Sequence, residues 1–320
     1  MAMPDARDWR LSERAVLDEI VLARSQPGRP WLLRETCPSA RQHYFILQCA
    51  GQRWVGRRGH PTLTPANAIR ACHLLGDQFR LGFGDSETHL DVTLRDARQA
   101  AAFLAMAAAD ASAELIFPFP ALDADGREWV CPPQYWQVAS RHATRFAEDE
   151  HHLRELCART LTNALPPGAL VHDPACSTGD FVAAMARACP GLRFTGSDLC
   201  PAMVDTARRH HGHVVADFTC TDAAALPAGS VDGLLLRFLN VEVVTRRQAL
   251  TLFRRLATTI RPGGVAVLFG HSGVLVPVHA EAARLGWRVL TCTAPTADGS
   301  GLFQWYVLRA GARRTQPDLP

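Results

Sequence analysis

From about residue 150 to residue 312 the apolar positions switch between two periods. The runs "ALVHD" (169–173), "RFTGSD" (193–198), "VDGLLLRFL" (231–239) and "GVAVLFG" (264–270) are short and nearly continuous, as strands covered on both faces require. Between them lie stretches with apolar residues three and four apart: "EDEHHLRELCARTLTNAL", "DFVAAMARAC", "PAMVDTARRH" and "TRRQALTLFRRLATTI". These predict amphipathic helices. A further strand is expected at "HVVADFTC". Strands alternating with helices imply a parallel, doubly wound sheet. The chain then changes habit: "WRVLTCTAP", a loop containing "ADGSG", and "LFQWYVLRA" predict an antiparallel hairpin.

Upstream the pattern is different. "HYFILQCAGQRWVG" reads as two short strands around Ala50-Gly51, and "THLDVTL" alternates as a strand. "TPANAIRACHLLGDQF" is expected to be a helix with Thr64 as N-cap and Pro65 in its first turn. "RDARQAAAFLAMAAADA" predicts an Ala-rich helix. Prolines at 118, 120, 132 and 133 and the Asp-Ala-Asp-Gly turn at 123–126 place a linker near residue 131. The expected organisation is therefore a small α+β domain over 1–130, a doubly wound α/β domain over 131–312, and a short tail over 313–320. The N-terminal unit could serve as a lid, a dimerisation surface giving a homodimer, or a partner-binding module.

Bulk properties narrow the class. The chain has 320 residues, 48% hydrophobic and 20% charged, with 34 basic against 31 acidic residues for a net charge of +3. That balance gives no footprint for nucleic acid or an anionic membrane. No apolar run approaches the roughly 20 residues of a membrane span, and the start lacks the apolar centre of a signal peptide. The ten cysteines form no CxxC pair, so reduced core thiols and a cytoplasmic location are expected.

A parallel α/β sheet finished by an antiparallel hairpin resembles the class I S-adenosylmethionine-dependent methyltransferases over roughly residues 133 to 312. That resemblance implies a mostly parallel, seven-stranded Rossmann-like sheet. In such sheets ligands bind at the carboxyl ends of the strands, near the point where strand order reverses. The turn "DPACSTG" (173–179) lies there and fits the family's acidic-x-small-x-small-x-Gly pattern, with Ala175 and Ser177 where glycines are usual. Small residues let a backbone approach a ligand closely. Asp198, roughly 20 residues past Gly179, can accept from both ribose hydroxyls of a nucleoside. By resemblance, Leu199 and Met203 of "DLCPAMV" meet the adenine, while Asp222 and Ala223 of "CTDAAALP" lie at its amino group. S-adenosylmethionine, leaving as S-adenosylhomocysteine, is the implied cofactor. A dinucleotide is disfavoured, because Asp173 and Asp180 flank the turn and would repel a pyrophosphate. Asp173 is expected near the cationic methionine end, with Asp180 assisting or capping its helix.

The segment "LLLRFLNVEVV" departs from the Asn/Asp-Pro-Pro-aromatic signature of enzymes that methylate base amines. A small-molecule substrate is therefore expected. Arg237 can grip a carboxylate with two parallel hydrogen bonds, or else pair with Glu242 or Asp232. Asn240 can both donate and accept. Tyr135 and Trp136, in the aromatic-rich segment "PPQYWQVASRHATRF", offer π faces to a sulfonium, or else pack internally. No carboxylate cluster suggests a metal. His210 to His213 read as a solvated turn, and His151-His152 as part of an exposed helix. Arg237, Asn240 and the aromatic pair, without an evident strong base, suit a thioether nucleophile, which needs no deprotonation. The whole arrangement is similar to bacterial methionine S-methyltransferases of sulfonium-metabolite pathways. That resemblance implies methylation of free methionine to S-methylmethionine. A neighbouring chemistry, cyclisation of the cofactor to azetidine-2-carboxylate, fits the same residues, as does N- or O-methylation in specialised metabolism.

Overall fold

The structure, a computed structural model, describes residues 6–59, 68–84, 87–123, 125–132, 150–215 and 217–311. Thr64, Pro65, Tyr135, Trp136 and the tail 313–320 lie outside them. The chain divides into two compact units. The first comprises residues 1–130, 270–275 and 292–304, and the second residues 131–269, 276–291 and 305–320. The division falls between Val130 and Cys131, and two later segments return to the first unit, a contribution that the linker composition does not foretell.

The first unit contains α1 (Ala6–Ala23), β1 (Pro30–Glu35), β2 (Tyr44–Cys49), β3 (Gln52–Arg57), β4 (Ile69–Arg70), β5 (Leu74–Phe83), β6 (Thr88–Leu94), α2 (Ala97–Ala109) and β7 (Glu114–Ile116). Six of these strands form an antiparallel sheet in the order β1-β6-β5-β3-β2-β7. The β2–β3 hairpin turns at Ala50-Gly51, both at positive φ. Helix α2 starts on a capping box, with Asp96 accepting from the Gln99 amide. It buries Phe103 against Trp54, rings stacked 4.7 Å apart.

The helix expected over residues 64–79 does not form in its described part. Ile69–Arg70 is a strand, Ala71–His73 a single 3-10 turn, and β5 follows directly. Tertiary pairing overrides local preference here. Gly76 sits so close to β6 that an added Cβ would lie 1.9 Å from the Thr93 carbonyl. Only an extended glycine allows that approach.

The second unit follows the predicted alternation: α3 (His151–Ala164), β8 (Leu170–Asp173), α4 (Asp180–Ala188), β9 (Arg193–Asp198), α5 (Pro201–His211), β10 (Asp217–Cys220), β11 (Val231–Leu236), α6 (Arg246–Ala257) and β12 (Ile260–Leu268). Then come α7 (Val278–Leu285), β13 (Arg288–Pro295) and β14 (Gly301–Arg309). The order is β10-β9-β8-β11-β12-β14-β13, with β4 pairing off this path onto β14. Strands β10 to β12 pair in parallel and β14 antiparallel to β12. The parallel core agrees with the expectation, but the sheet has eight strands rather than seven, and the end of β14 that pairs with β4 belongs with it to the first unit.

Chain order runs from β8 outward through β9 and β10 on one side and resumes at β11 on the other. The carboxyl ends of β8 and β11 therefore border the crevice where order reverses. Asp173 ends the first of these strands, and Arg237 follows the second.

Candidate functional site

Asp173 is fully buried, and each of its oxygens has a job. One accepts from the Ala175 amide at 3.0 Å, closing the turn after β8. The other accepts from Arg237 Nε at 3.0 Å, across the switch point. Arg237 Nη1 donates to Glu150 Oε1 at 3.1 Å, and Arg154 Nη2 reaches the other oxygen of Glu150 at 3.2 Å. The Arg237 guanidinium also lies 4.2 Å from the centroid of Phe181. Burial alone would lower its pKa, but Asp173 and Glu150 more than offset this and hold it above the ordinary arginine value.

This geometry corrects the reading of Arg237 as a clamp on an acceptor. Its Nε and Nη1 are committed to Asp173 and Glu150. Neither partner proposed as the alternative is used: Asp232 instead pairs with Arg261 at 2.7 Å and accepts the Leu170 amide. With Arg154 on its outer side, the cluster of Asp173, Arg237 and Glu150 is balanced, two carboxylates against two guanidinium groups.

The turn itself is shaped for close approach. Ser177 has φ 53° and Gly179 φ 80°, so two residues of "DPACSTG" occupy the left-handed region. Gly179 tolerates it freely, whereas Ser177 is strained there. A Cβ on Gly179 would meet Phe218 and Ala207 at 2.8 and 2.9 Å. The Ser177 amide donates to Asp198 Oδ2 and the Cys200 amide to Asp198 Oδ1, each at 2.9 Å. These bonds fix the carboxylate and use one acceptor position on each oxygen, leaving one on each for a vicinal diol. Burial raises the pKa of Asp198, and the backbone amides of Cys200, Ser177 and Leu199 oppose that shift.

Beyond Asp198, Leu199 is 70% exposed. Met203 is buried beneath the turn, its sulfur accepting from Ser177 Oγ at 3.6 Å. Asp222 caps a 3-10 turn by accepting from the Ala224 amide at 2.8 Å, and Ala223 is buried beside it. A fixed diol acceptor, an exposed apolar side chain and a buried carboxylate at the strand end fit S-adenosylmethionine. Asp198 would hold the ribose, Leu199 would cover the adenine, and the Asp173 cluster would face the charged end.

Other expectations shift. Asp180 opens α4, accepts from Thr178 Oγ1 at 2.5 Å and meets His211 Nε2 at 3.1 Å. His211 is therefore not a solvated turn residue but the buried last residue of α5. His151 is exposed, whereas His152 is half-buried. Asn240 is buried at the turn after β11, where its carbonyl accepts from the Val243 and Val244 amides. Tyr135 and Trp136 lie outside the described residues. The aromatic against Arg237 is Phe181, which leads to Phe269 at 5.6 Å and on to Trp305 at 4.5 Å. Sequence reasoning missed Glu150, Phe181 and His211. Among the described residues no group of His, Cys, Asp and Glu forms a metal site. No described helix is long and apolar enough to cross a membrane.

Comparison with known proteins bears on this arrangement. Residues 171–264 match the family described as "Methyltransferase domain". Isonocardicin synthase of Nocardia uniformis subsp. tsuyamanensis is 34% identical over 282 residues, 83% of this chain and 91% of that protein. The chain belongs to the class I S-adenosylmethionine-dependent methyltransferase family. It is an enzyme, and S-adenosylmethionine is its cofactor. The ribosomal protein L11 methyltransferase of Burkholderia ambifaria is 29% identical over 140 residues, 44% of this chain and 43% of that protein. Among solved structures, magnesium protoporphyrin IX methyltransferase of Synechocystis PCC 6803 superposes with TM-score 0.41 and 18% identity, over 54% of this chain and 84% of its own.

Proposed function

We propose that this enzyme uses S-adenosylmethionine to alkylate a small amino-acid nucleophile. The observation that carries the reading is the buried Asp173–Arg237–Glu150 cluster at the strand ends. It sets the Asp173 carboxylate at the switch point, while its arginine is already held by two carboxylates and Arg154 is held by Glu150. The relative that aligns over most of this chain is named for making a compound, isonocardicin, which favours a small product over a macromolecular one.

Of the forms this chemistry takes, the geometry favours cyclisation to azetidine-2-carboxylate over methylation of free methionine. A second zwitterion would bring a second carboxylate needing a cation. Arg237 and Arg154, the guanidiniums stacked at Phe181, both bond to Glu150 already. In cyclisation the bond from the sulfonium to its γ-carbon breaks, a bond from the α-amine to that carbon forms, and the departing sulfur keeps the electron pair as methylthioadenosine. The chain's own part is to hold the ribose on Asp198, set the Asp173 carboxylate near the cationic end, and leave the amine free to lose its proton. Alignment and partial desolvation then supply the rate.

Methionine S-methylation remains the second reading, favoured by a different observation. His172, the imidazole on β8, is buried between Thr195 and Ser197, and His211 is tied to Asp180. With neither placed as a general base, a thioether that needs none is well suited. Mass spectrometry of products from enzyme with cofactor alone, and then with methionine, separates the two readings. Methylthioadenosine without acceptor supports cyclisation. S-adenosylhomocysteine formed only with methionine supports transfer.

A further inference from the structure

In the first unit, Arg24 and Arg58 carry buried guanidinium nitrogens with no hydrogen-bond partner among the described residues. The chain contains no lysine, so its 34 basic side chains are all guanidinium groups. Elsewhere these grip acids through the Nε–Nη2 edge: Arg57 on Glu35, Arg95 on Asp77 and Arg254 on Glu281. Arg24 presents that same edge without a partner. Its Nη1 is fixed on the Cys72 carbonyl at 2.6 Å, while Nε and Nη2 are shut off from solvent and bond nothing among the described residues.

Arg58 is the stronger case. It is only 6% exposed, and its Nε and Nη1 are buried without a hydrogen-bond partner. The guanidinium rests 4.5 Å from the centroid of Phe117. Desolvation lowers its pKa to about 10, and no acid offsets that shift. It stays charged at neutral pH all the same. His73 follows Cys72, whose carbonyl anchors Arg24. Burial and the charges of Arg58, Arg70 and Arg24 push its pKa down to about 4. Its Nδ1 accepts from the Arg70 amide at 3.1 Å, so the neutral ring carries its proton on Nε2 as a further donor. Arg70 has an acidic partner, Asp298, at the surface.

Burying a guanidinium without a counter-ion is strongly unfavourable, and natural structures supply the missing charge. We propose that Arg58 and Arg24, with His73 as a neutral donor, form a binding site for a small oxyanion, a carboxylate or phosphate group, in the N-terminal unit. The unpartnered edge of Arg24 matches both geometries bidentately. The site is independent of the cofactor residues and of the reading given under Proposed function.

The test uses the full chain and three probes: sodium malonate, sodium phosphate, and sodium chloride at matched ionic strength. Calorimetry and thermal melts are expected to show saturable binding of malonate or phosphate, with a Kd of roughly millimolar or tighter, and none of chloride. Preference for malonate identifies a planar carboxylate as the occupant, and preference for phosphate a tetrahedral one. Arg58→Met and Arg24→Met should each weaken the binding by about tenfold or more. Without anion, Arg58→Met should melt at or above the parent's temperature, because an uncompensated buried charge is gone. The His73 resonance should titrate near pH 4 in the free protein and higher with the anion bound. Flat titrations in the parent overturn the proposal. So does binding that both variants leave unchanged, or an Arg58→Met protein that melts several degrees lower while keeping its anion affinity.

Discussion

Arg237 and Arg58 are both buried guanidinium groups packed on a phenylalanine ring, 4.2 Å from Phe181 and 4.5 Å from Phe117. Their electrostatic settings are opposite. Arg237 is held by Asp173 and Glu150, which raise its pKa, whereas Arg58 meets no acid among the described residues, and desolvation lowers its pKa to about 10. The difference teaches that burial of an arginine does not by itself mark a ligand site. In the second unit the arginine is the counter-charge for carboxylates, which hold it in place. In the first unit the arginine itself is the group left to be satisfied.

The comparison can be broken most forcefully at the cofactor edge. Asp198→Ala removes two acceptors offered to the ribose, each charge-assisted bond worth about 1.5–3 kcal/mol. Affinity for S-adenosylhomocysteine should fall by roughly 10²- to 10⁴-fold in calorimetry, with the fold retained by circular dichroism. An unchanged affinity would remove the ribose assignment.

Next in size is Arg237→Met, which leaves Asp173 without a cation and Glu150 with Arg154 alone. Breaking a buried pair from one side costs about 3–5 kcal/mol. Urea unfolding should register a loss of that order, in contrast to the neutral or stabilising outcome expected of Arg58→Met. Equal losses in the two variants would erase the distinction between the two sites.

A smaller effect sits on β8 next to Asp173. Burial pushes the pKa of His172 down to about 4 against the charges of Asp173 and Asp217, while its ring nitrogens lie 2.8 and 3.0 Å from Thr195 and Ser197 hydroxyls. The folded pKa lies below the unfolded one, near 6.5. The unfolded chain therefore gains protons first as pH falls, and stability is lost between pH 6.5 and 4. Between pH 7 and 5 this amounts to about 2 kcal/mol. Replacing His172 by Asn should flatten the unfolding free energy against pH over that window by about the same amount.

The second unit was more legible in the sequence than the first because its strands are buried on both faces and read as continuous apolar runs. The turn "DPACSTG" and Asp198 could be placed at strand ends from the apolar pattern, and the resemblance to the methyltransferase family drew attention to them. Their hydrogen bonds could not. Glu150 is one of three consecutive acids, and spacing does not say which of them turns inward. His211 did leave a signal: it falls on the helical face of Val204 and Ala207, both buried. The "HHGH" run obscured it. Helix α7 is also marked, by Pro277 before it and Gly286 at φ 67° after it. In the first unit, β1 hides its alternation because its inward positions include Glu35, which is acceptable there only because Arg57 and the Tyr44 hydroxyl meet it. The misread helix near residue 70 depends on the β6 backbone beside Gly76, which no local pattern reveals.

The account's central claim is that the second unit acts on S-adenosylmethionine with a small amino-acid nucleophile, most simply the cofactor's own amine. The most direct measurement incubates the purified enzyme with S-adenosylmethionine alone and follows both nucleoside products by mass spectrometry across pH. Cyclisation predicts methylthioadenosine and azetidine-2-carboxylate in equal amounts, with a rate that rises as the α-amine loses its proton. No methylthioadenosine above the enzyme-free control, with S-adenosylhomocysteine appearing only when methionine is added, would contradict cyclisation and leave methyl transfer in its place.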